Sequence, residues 1–409
     1  MGKQVAQALF RGALAGILLG ASVASAGATP EQADKAAQAF NKAFWNASNK
    51  SFYKRDGKVG TLDFWLTAHA WESIMDAYQA TGKSEYKQQI ADVYEGFIRM
   101  HGTDWTTNDY NDDIAWWVLA CTHAYVITGE ARYLTQAKTH FDWIWKSERD
   151  SVQGGIWWKN NEHKSKNSCV VQPVIISAAN LARALQDDSY RVKAESLFAW
   201  QKRTLLDPRN PGKVFDAISA TGVIGTGSTT YNQGTFIGSA YMLGHMADAR
   251  TAADWTRKNM CNAAGVLREA QQGDFAGFKL ILVRYVMGFS RKSGAAGAAD
   301  QAWMEANATA VWNNRRLADD VMGYDWNNPA PASGIESASA AGGVALLSLL
   351  VTPTTIAIRP VPQATRGTEP NFVFSGSGKN QGAGVPVVRF RDGFRSADGR
   401  ALTVQAIQP

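Results

Sequence analysis

The segment Asn108-Asp109-Tyr110-Asn111-Asp112-Asp113-Ile114-Ala115-Trp116-Trp117 concentrates the residue types that do chemistry. A polar run ends in two adjacent acids, and an apolar stretch carrying two tryptophans follows. Neighbouring Cα atoms lie about 3.8 Å apart, so two such carboxyls at a helix start can sit a few ångströms from each other. Retaining glycosidases separate nucleophile and acid/base by about 5–5.5 Å, and inverting enzymes by more, to admit a water. Sequence neighbours suit the retaining geometry better. A helix N-terminus favours a carboxylate, while two acids so close cannot both ionise freely, so one is expected to hold its proton. Trp116 and Trp117 would desolvate the pair and push the same way. Asp-Asp ahead of a helix is also a common capping arrangement, and the pair taken alone reads that way. A Ca²⁺ loop is a third reading, for which no EF-hand spacing follows.

The elements that would position such a pair are helical. From about residue 30 to 350, apolar residues recur at i, i+3, i+4 and i+7. The pattern predicts twelve helices, at 30–47, 62–81, 84–101, 112–128, 131–147, 168–186, 189–206, 231–248, 251–264, 274–291, 299–318 and 334–351. A weak repeat pairs them: Ala77-Tyr78-Gln79-Ala80-Thr81-Gly82 precedes Tyr86, Ala124-Tyr125-Val126-Ile127-Thr128-Gly129 precedes Tyr133, and Asp187-Asp188 precede Tyr190. Gly82 and Gly129 suit the position just past a helix, where φ is positive. Short turns alternate with long polar connections at 102–111, 148–167, 207–230, 265–273 and 319–333, which alternation places on one face. The expected class is all-α, a six-hairpin (α/α) toroid; an open solenoid would show the same repeat but needs capped ends. The long loops, rich in Trp, Tyr, Asn, Asp and Gly, have the composition of a polar cleft.

The 15 tryptophans of this 409-residue chain point the same way, since the apolar face of a pyranose stacks on an indole, although most single tryptophans are expected in the core. The formal charge of +6 sits in the ends. Residues 1–26 carry Lys3 and Arg11 and no acid; from Val351 onward seven bases stand against three acids. The neutral body lacks the clustered cations that phosphate binding needs, which argues against a nucleic-acid partner. Cys121, Cys169 and Cys261 lack metal-ligand spacing, and with the six scattered histidines they imply no metal and no cofactor. One disulfide or three thiols are equally compatible with their positions.

The N-terminus reads as a secretory signal peptide over 1–26, with basic residues, a short apolar run over 13–19 and the small-residue site Ala24-Ser25-Ala26. The mature chain, expected to be exported as a monomer without an integral membrane segment, would comprise a catalytic toroid over 27–351. A basic tail over 352–409, with Pro353, Pro360, Pro362, Pro370 and Pro386, breaks helical periodicity and is expected to be disordered or loosely structured.

Five motifs in order over about residues 60–350 resemble those of glycoside hydrolase family 76, the α-1,6-mannanases and related fungal wall proteins: the Asp112-Asp113 segment with Trp116-Trp117; Gly154-Gly155-Ile156-Trp157-Trp158 with Lys166-Asn167; Tyr231-Asn232-Gln233-Gly234; Phe278-Lys279 with Arg284-Tyr285; and Asp325-Trp326. The resemblance implies endo-hydrolysis of α-1,6-mannan with retention, Asp112 as nucleophile and Asp113 as acid/base. It implies stacking platforms at Trp65, Trp157 and Trp158, with Trp116 also facing substrate. Hydroxyl-binding groups are expected at Asn167, Asp216, Tyr231, Asn232, Lys279 and Arg284. The sequence departs from the family's pattern at Asn111, where an aromatic is usual, at Val170-Val171 in place of Ser-Asn, and at Leu280 in place of Gly; each is expected in or near a cleft element. A wall-glycan transglycosylase on the same fold and an inactive mannan-binding protein are the competing expectations.

Overall fold

The computed structural model describes residues 28–351 and two short strands beyond them. The signal-peptide reading of 1–26, and nearly all of the tail from 352, lie outside the described residues.

Among the described residues, twelve long helices alternate between two roles. The even-numbered set, α2 (Phe64–Thr81), α4 (Asn111–Thr128), α6 (Ser168–Leu185), α8 (Thr230–Leu243), α10 (Phe278–Ser293) and α12 (Ser337–Leu350), is apolar on most faces and packs in a ring that closes from α12 back onto α2. In α12 all fourteen residues are buried. The odd-numbered set, α1 (Pro30–Phe44), α3 (Ser84–His101), α5 (Ala131–Trp143), α7 (Asp188–Thr204), α9 (Met246–Met260) and α11 (Ala298–Asn313), carries an apolar stripe on one face and polar residues on the other, and lies outside the ring. A helix apolar all round must be enclosed, whereas an amphipathic one covers a core. The expected (α/α) toroid is thus the fold.

Turns of a few residues join the helices at one end. Gly82 and Gly129 close α2 and α4 at φ 69° and 73°, as their sequence context predicts. At the other end run the long connections, each entering an inner helix at its N-terminus. Three short sheets stiffen the chain: β1 (Trp45–Asn46), β2 (Ser51–Arg55) and β3 (Val59–Thr61) between α1 and α2; β4 (Ser165–Asn167), β5 (Ala217–Ser219) and β6 (Ile224–Gly225) across two loops; and β7 (Ala357–Ile358) with β8 (Phe374–Ser375). All pairings are antiparallel.

Several boundaries differ from the sequence expectation for local reasons. Helix α1 stops at Phe44 because Trp45 pairs with Phe52. Helices α8 and α9 meet at Gly244, whose φ of 94° ends the helix five residues before the expected end. Helix α10 begins at Phe278 because Gly273–Phe275 forms a 3₁₀ turn instead of a first helical turn. Helix α6 has the length and hydropathy of a membrane-crossing helix, which the sequence reading passed over; here 72% of it is buried as a member of the inner ring. All three cysteines are free thiols, so no disulfide forms among them.

Inner helices approach closely where a side chain is missing. A Cβ on Gly234 of α8 would lie 2.6 Å from the Leu282 Cα of α10, a backbone contact that only movement of a helix relieves. Gly234→Ala is therefore expected to destabilise the fold by about 1–3 kcal/mol, measured as a lower denaturant midpoint at unchanged slope.

Candidate active site

The closed ring brings the N-termini of its helices to one rim, and a cavity of about 690 Å³ opens there. Five of the six inner helices contribute to its wall: Trp65 from α2, Asp112, Asp113 and Trp116 from α4, Cys169 from α6, Tyr231 from α8 and Phe278 from α10. The loops add Tyr110, Trp158, Asn167, Asp216, Gly225, Gly227, Ser228, Thr229, Asp274 and Phe275.

Asp112 and Asp113 lie in the first turn of α4. Tyr110 occupies the N-cap position without a side-chain cap bond. Asp112 faces its own amide and that of Asp113, with the Cys169 thiol and the Trp158 indole beside it, and all four favour its anion; burial outweighs them and pushes its carboxyl up to about 6. Asp113 accepts a hydrogen bond of 2.9 Å from Asn108 Nδ2. Burial first, then the neighbouring charge of Asp112, with smaller contributions from Asp63 and Asp274, push Asp113 up to about 7. The two groups titrate as a pair. In its singly protonated form the helix-terminal amides select Asp112 as the anion and leave the proton on Asp113.

Across the cavity, β4–β5–β6 sets two further polar groups. Asn167 pairs with Ala217 in the ladder. Asp216, just ahead of β5, accepts from the Tyr231 hydroxyl and, at 3.0 Å, from Asn232 Nδ2. An aromatic wall joins these groups: Phe278 lies 4.6 Å from Tyr231 and 6.1 Å from Trp65, ring to ring, and Trp65 lies 6.4 Å from Trp116. Carboxylates facing an aromatic wall make a surface for a polyhydroxylated, apolar-faced ligand.

The structure brings Asp112, Asp113, Trp65, Trp116, Trp158, Asn167, Asp216 and Tyr231 to the cavity. Four expected contact residues stand elsewhere. Trp157 stacks on His163 at 5.3 Å with Lys166 Nζ 4.4 Å over its ring, inside the α5–α6 loop. Asn232 is fully buried, where its Oδ1 accepts from Thr229 N at 2.7 Å and its Nδ2 holds Asp216, so it orients a cavity residue instead of lining the cavity. Lys279 donates to the Tyr324 carbonyl and lies 4.3 Å over the Trp326 ring; burial lowers its ammonium to about 7. Arg284 sits deep in the ring, paired with Asp76 at 2.5 Å and Glu72 at 3.2 Å.

The departures Asn111, Val170, Val171 and Leu280 are all fully buried, not cleft residues. Asn111 Nδ2 donates to Glu148 Oε2 at 3.0 Å and to the Trp157 carbonyl at 2.9 Å, binding the α5–α6 loop to α4. Gly154 and Gly155 serve packing as well. Both have φ near 80°, and a Cβ on either would enter the Trp200 ring.

Sequence reasoning missed Tyr110, Cys169, Asp274, Phe275 and Phe278. Tyr110 and Phe278 stand inside motifs already singled out, two residues before Asp112 and one before Lys279. Asp274 and Phe275 were hidden by their assignment to a helix. Cys169 carries no spacing signal.

These features define a class: an (α/α) toroid with two buried adjacent carboxyls in an aromatic cleft at its loop face. The profile described as Glycosyl hydrolase family 76 matches residues 29–354, and the chain belongs to that family. It is similar to an alpha-1,6-mannanase, GH76A, of Salegentibacter sp. HEL1_6, with a TM-score of 0.73 and 26% identity, covering 79% of this chain and 98% of that one. That structure is of an inactive variant with two adjacent aspartates replaced, in complex with alpha-1,6-mannotetrose. A family 76 mannosidase, Bt3792 of Bacteroides thetaiotaomicron, shares the fold at a TM-score of 0.69 and 19% identity, covering 79% of this chain and 97% of that one. A Schizosaccharomyces pombe protein assigned by name to mannan endo-1,6-alpha-mannosidase is 26% identical over 230 residues, covering 47% of this chain. The match spans about half the length of that relative, 49%.

A carboxyl whose folded pKa is raised holds a proton that the unfolded chain has lost. Stability then falls as pH rises from about 4, the unfolded value, through the folded value near 7. Asp113→Asn removes that cost. The variant is expected to exceed the wild type by about 1–3 kcal/mol at pH 8 and to match it near pH 4, read from denaturant melts at the two pH values.

Proposed function

We propose that this protein hydrolyses internal α-1,6-mannosidic bonds of mannan with retention of configuration. The observation that carries the reading is the pair of buried, adjacent carboxyls whose surroundings divide one proton between them. The Asp112 anion attacks the anomeric carbon. The Asp113 carboxyl gives its proton to the glycosidic oxygen as that bond breaks. A mannosyl ester on Asp112 results, and the chain beyond the cleaved bond leaves with a free hydroxyl. Asp113, now a carboxylate, takes a proton from water as the water attacks the same carbon, which frees Asp112 and restores the starting state. The apolar faces of Trp65, Trp116 and Phe278 suit the C–H faces of pyranose rings, and Asp216 and Asn167 suit their hydroxyls.

The similarity to the Salegentibacter alpha-1,6-mannanase supports the linkage, and its inactivation at two adjacent aspartates supports the roles of Asp112 and Asp113. Export through residues 1–26 belongs to the same reading, supported by Lys3, Arg11 and the Ala24-Ser25-Ala26 site, since a polymeric substrate lies outside the cell that digests it.

Linear α-1,6-mannan incubated with the protein is expected to yield short oligosaccharides early, with the first-formed anomer α by proton NMR. Asp112→Asn and Asp113→Asn should each fold and lose turnover by roughly a thousandfold or more, because each removes one half of a two-carboxylate mechanism. Wild-type activity in either variant, or a β anomer formed first, would contradict the assignment. The pH profile of kcat/KM should be a narrow bell whose acid limb reports ionisation of Asp112 and whose basic limb reports loss of the Asp113 proton, with its maximum between about 6 and about 7.

A further inference from the structure

Glu336, the N-cap residue of α12, is a buried carboxylate outside the cavity that the mechanism does not use. Its two oxygens tie three chain segments together. Oε1 accepts from Arg55 of β2, at 3.2 Å from Nε and 3.0 Å from Nη2. Oε2 accepts the backbone N–H of Gly273 at 2.6 Å. The neighbouring Gln272 completes the clasp: its Oε1 accepts the Glu336 N–H at 2.8 Å and its Nε2 donates to the Gly334 carbonyl at 3.0 Å. A buried carboxylate that satisfies a charged donor and a backbone amide at once has little freedom to move.

The segment held this way is the 3₁₀ turn Gly273–Phe275, which leaves the clasp at a positive φ of 69° and runs directly into the cavity wall. Phe275 is 41% exposed, unusual for a phenylalanine, and its ring centroid lies 5.2 Å from that of Phe278, extending the aromatic wall outward from Tyr231 and Trp65. Asp274 faces the cavity beside it.

We propose that the turn Gly273–Phe275 is a specificity-determining wall of the cleft, with Phe275 receiving a sugar of the chain beyond those at the carboxyl pair, and that Glu336 is the positioning residue that fixes this turn. The inference rests on the reading of the cleft as a mannan site. It gives the protein a preference for longer oligosaccharides set by a loop, at a position fixed from outside the cavity. A second consequence concerns the acid. The groups whose charges face Asp113 are Asp112 on its own helix, Asp63 ahead of α2, and Asp274 on this turn, with the neutral Cys169 thiol of α6 nearby and Asn108 as hydrogen-bond donor. Asp274 is the member of that set whose placement depends on Glu336, and a negative charge there favours the protonated form of Asp113.

The test uses the full chain in two arms. In the first, calorimetry follows binding of α-1,6-mannobiose, mannotriose and mannotetraose to the Asp113→Asn protein, alone and combined with Phe275→Ala or Glu336→Gln. Gln keeps the shape of Glu336 but offers one accepting oxygen in place of two. Both additions should weaken mannotetraose roughly tenfold, the scale of one lost aromatic contact, while leaving mannobiose near its starting affinity. Equal weakening of all three sugars, or no change for mannotetraose, would overturn the wall. In the second arm, ¹³C NMR of carboxyl-labelled aspartates follows the titration of Asp113, assigned by its loss in Asp113→Asn. The titration should move to lower pH in Asp274→Asn and in Glu336→Gln. Asp274 and Phe275 lie on a surface turn, so their variants fold even if Glu336→Gln does not. An unmoved titration in Asp274→Asn would overturn the link from turn to acid. Absence of binding by every sugar would overturn the sugar-receiving role together with the proposed function, and the titration arm would still decide the clasp.

Discussion

Each outer helix returns the chain to the same end, so the six inner helices of the closed ring run parallel and bring their N-termini to a common rim, and this geometric constraint governs the rest of the protein. Each inner helix enters the ring from a long loop, and five of the six point side chains near their N-termini at the same space. One of these N-termini carries two consecutive acids. Enclosure by Trp116, Trp158 and the α6 terminus strips water from both, which favours the neutral form of each. The amides of α4 select which one stays charged. A single helix on its own would offer the amides but not the enclosure; the ring supplies both.

Closure has a cost that appears lower down. Helices packed in a ring leave an axis to fill, and beneath the cavity it holds charge. Arg284 pairs with Glu72 and Asp76, and His123 approaches Glu72 at 3.2 Å. Above Glu72, His69 lies edge-on to Trp116 at 4.6 Å and to Trp65 at 5.5 Å, and burial keeps its imidazole neutral. The floor of the cavity thus rests on a buried ion cluster. Removing one member leaves an unpaired buried charge, typically worth about 3–5 kcal/mol. This explains why Arg284, expected at the substrate, stands within the ring: a cation this far from water requires anions on both sides.

Much of this was legible in the sequence, and unevenly so. The helices were visible because ring packing imposes a strong apolar period, and Gly82 and Gly129 marked their ends. Asp112, Asp113 and Trp116 were visible because two acids beside two tryptophans are rare neighbours, and Trp65 only through the family resemblance. The loops were not. Strands of two to five residues carry no readable alternation, so the sheet that sets Asp216 and the strand residue Arg55 of the clasp escaped notice. Asp274 and Phe275 were read as the start of α10, which hid them, and Gly273 as the end of the loop before it. Motif residues divided by side-chain direction, which spacing alone does not reveal: in Phe278-Lys279 the phenylalanine faces the cavity and the lysine faces Tyr324 and Trp326. Asn111, Val170, Val171 and Leu280 looked like changes to the cleft and are fully buried interior residues.

The central claim is that Asp112 carries the sugar while Asp113 handles the proton. The most direct measurement uses the Asp113→Asn variant with α-1,6-mannobiosyl fluoride, whose leaving group needs no acid, so that the first step proceeds and the second, lacking its base, stalls. Acid quenching followed by intact-mass and peptide analysis should show one added mannobiosyl group, on the peptide containing Asp112. Fluoride release without an adduct, or an adduct on any other residue, would contradict the account.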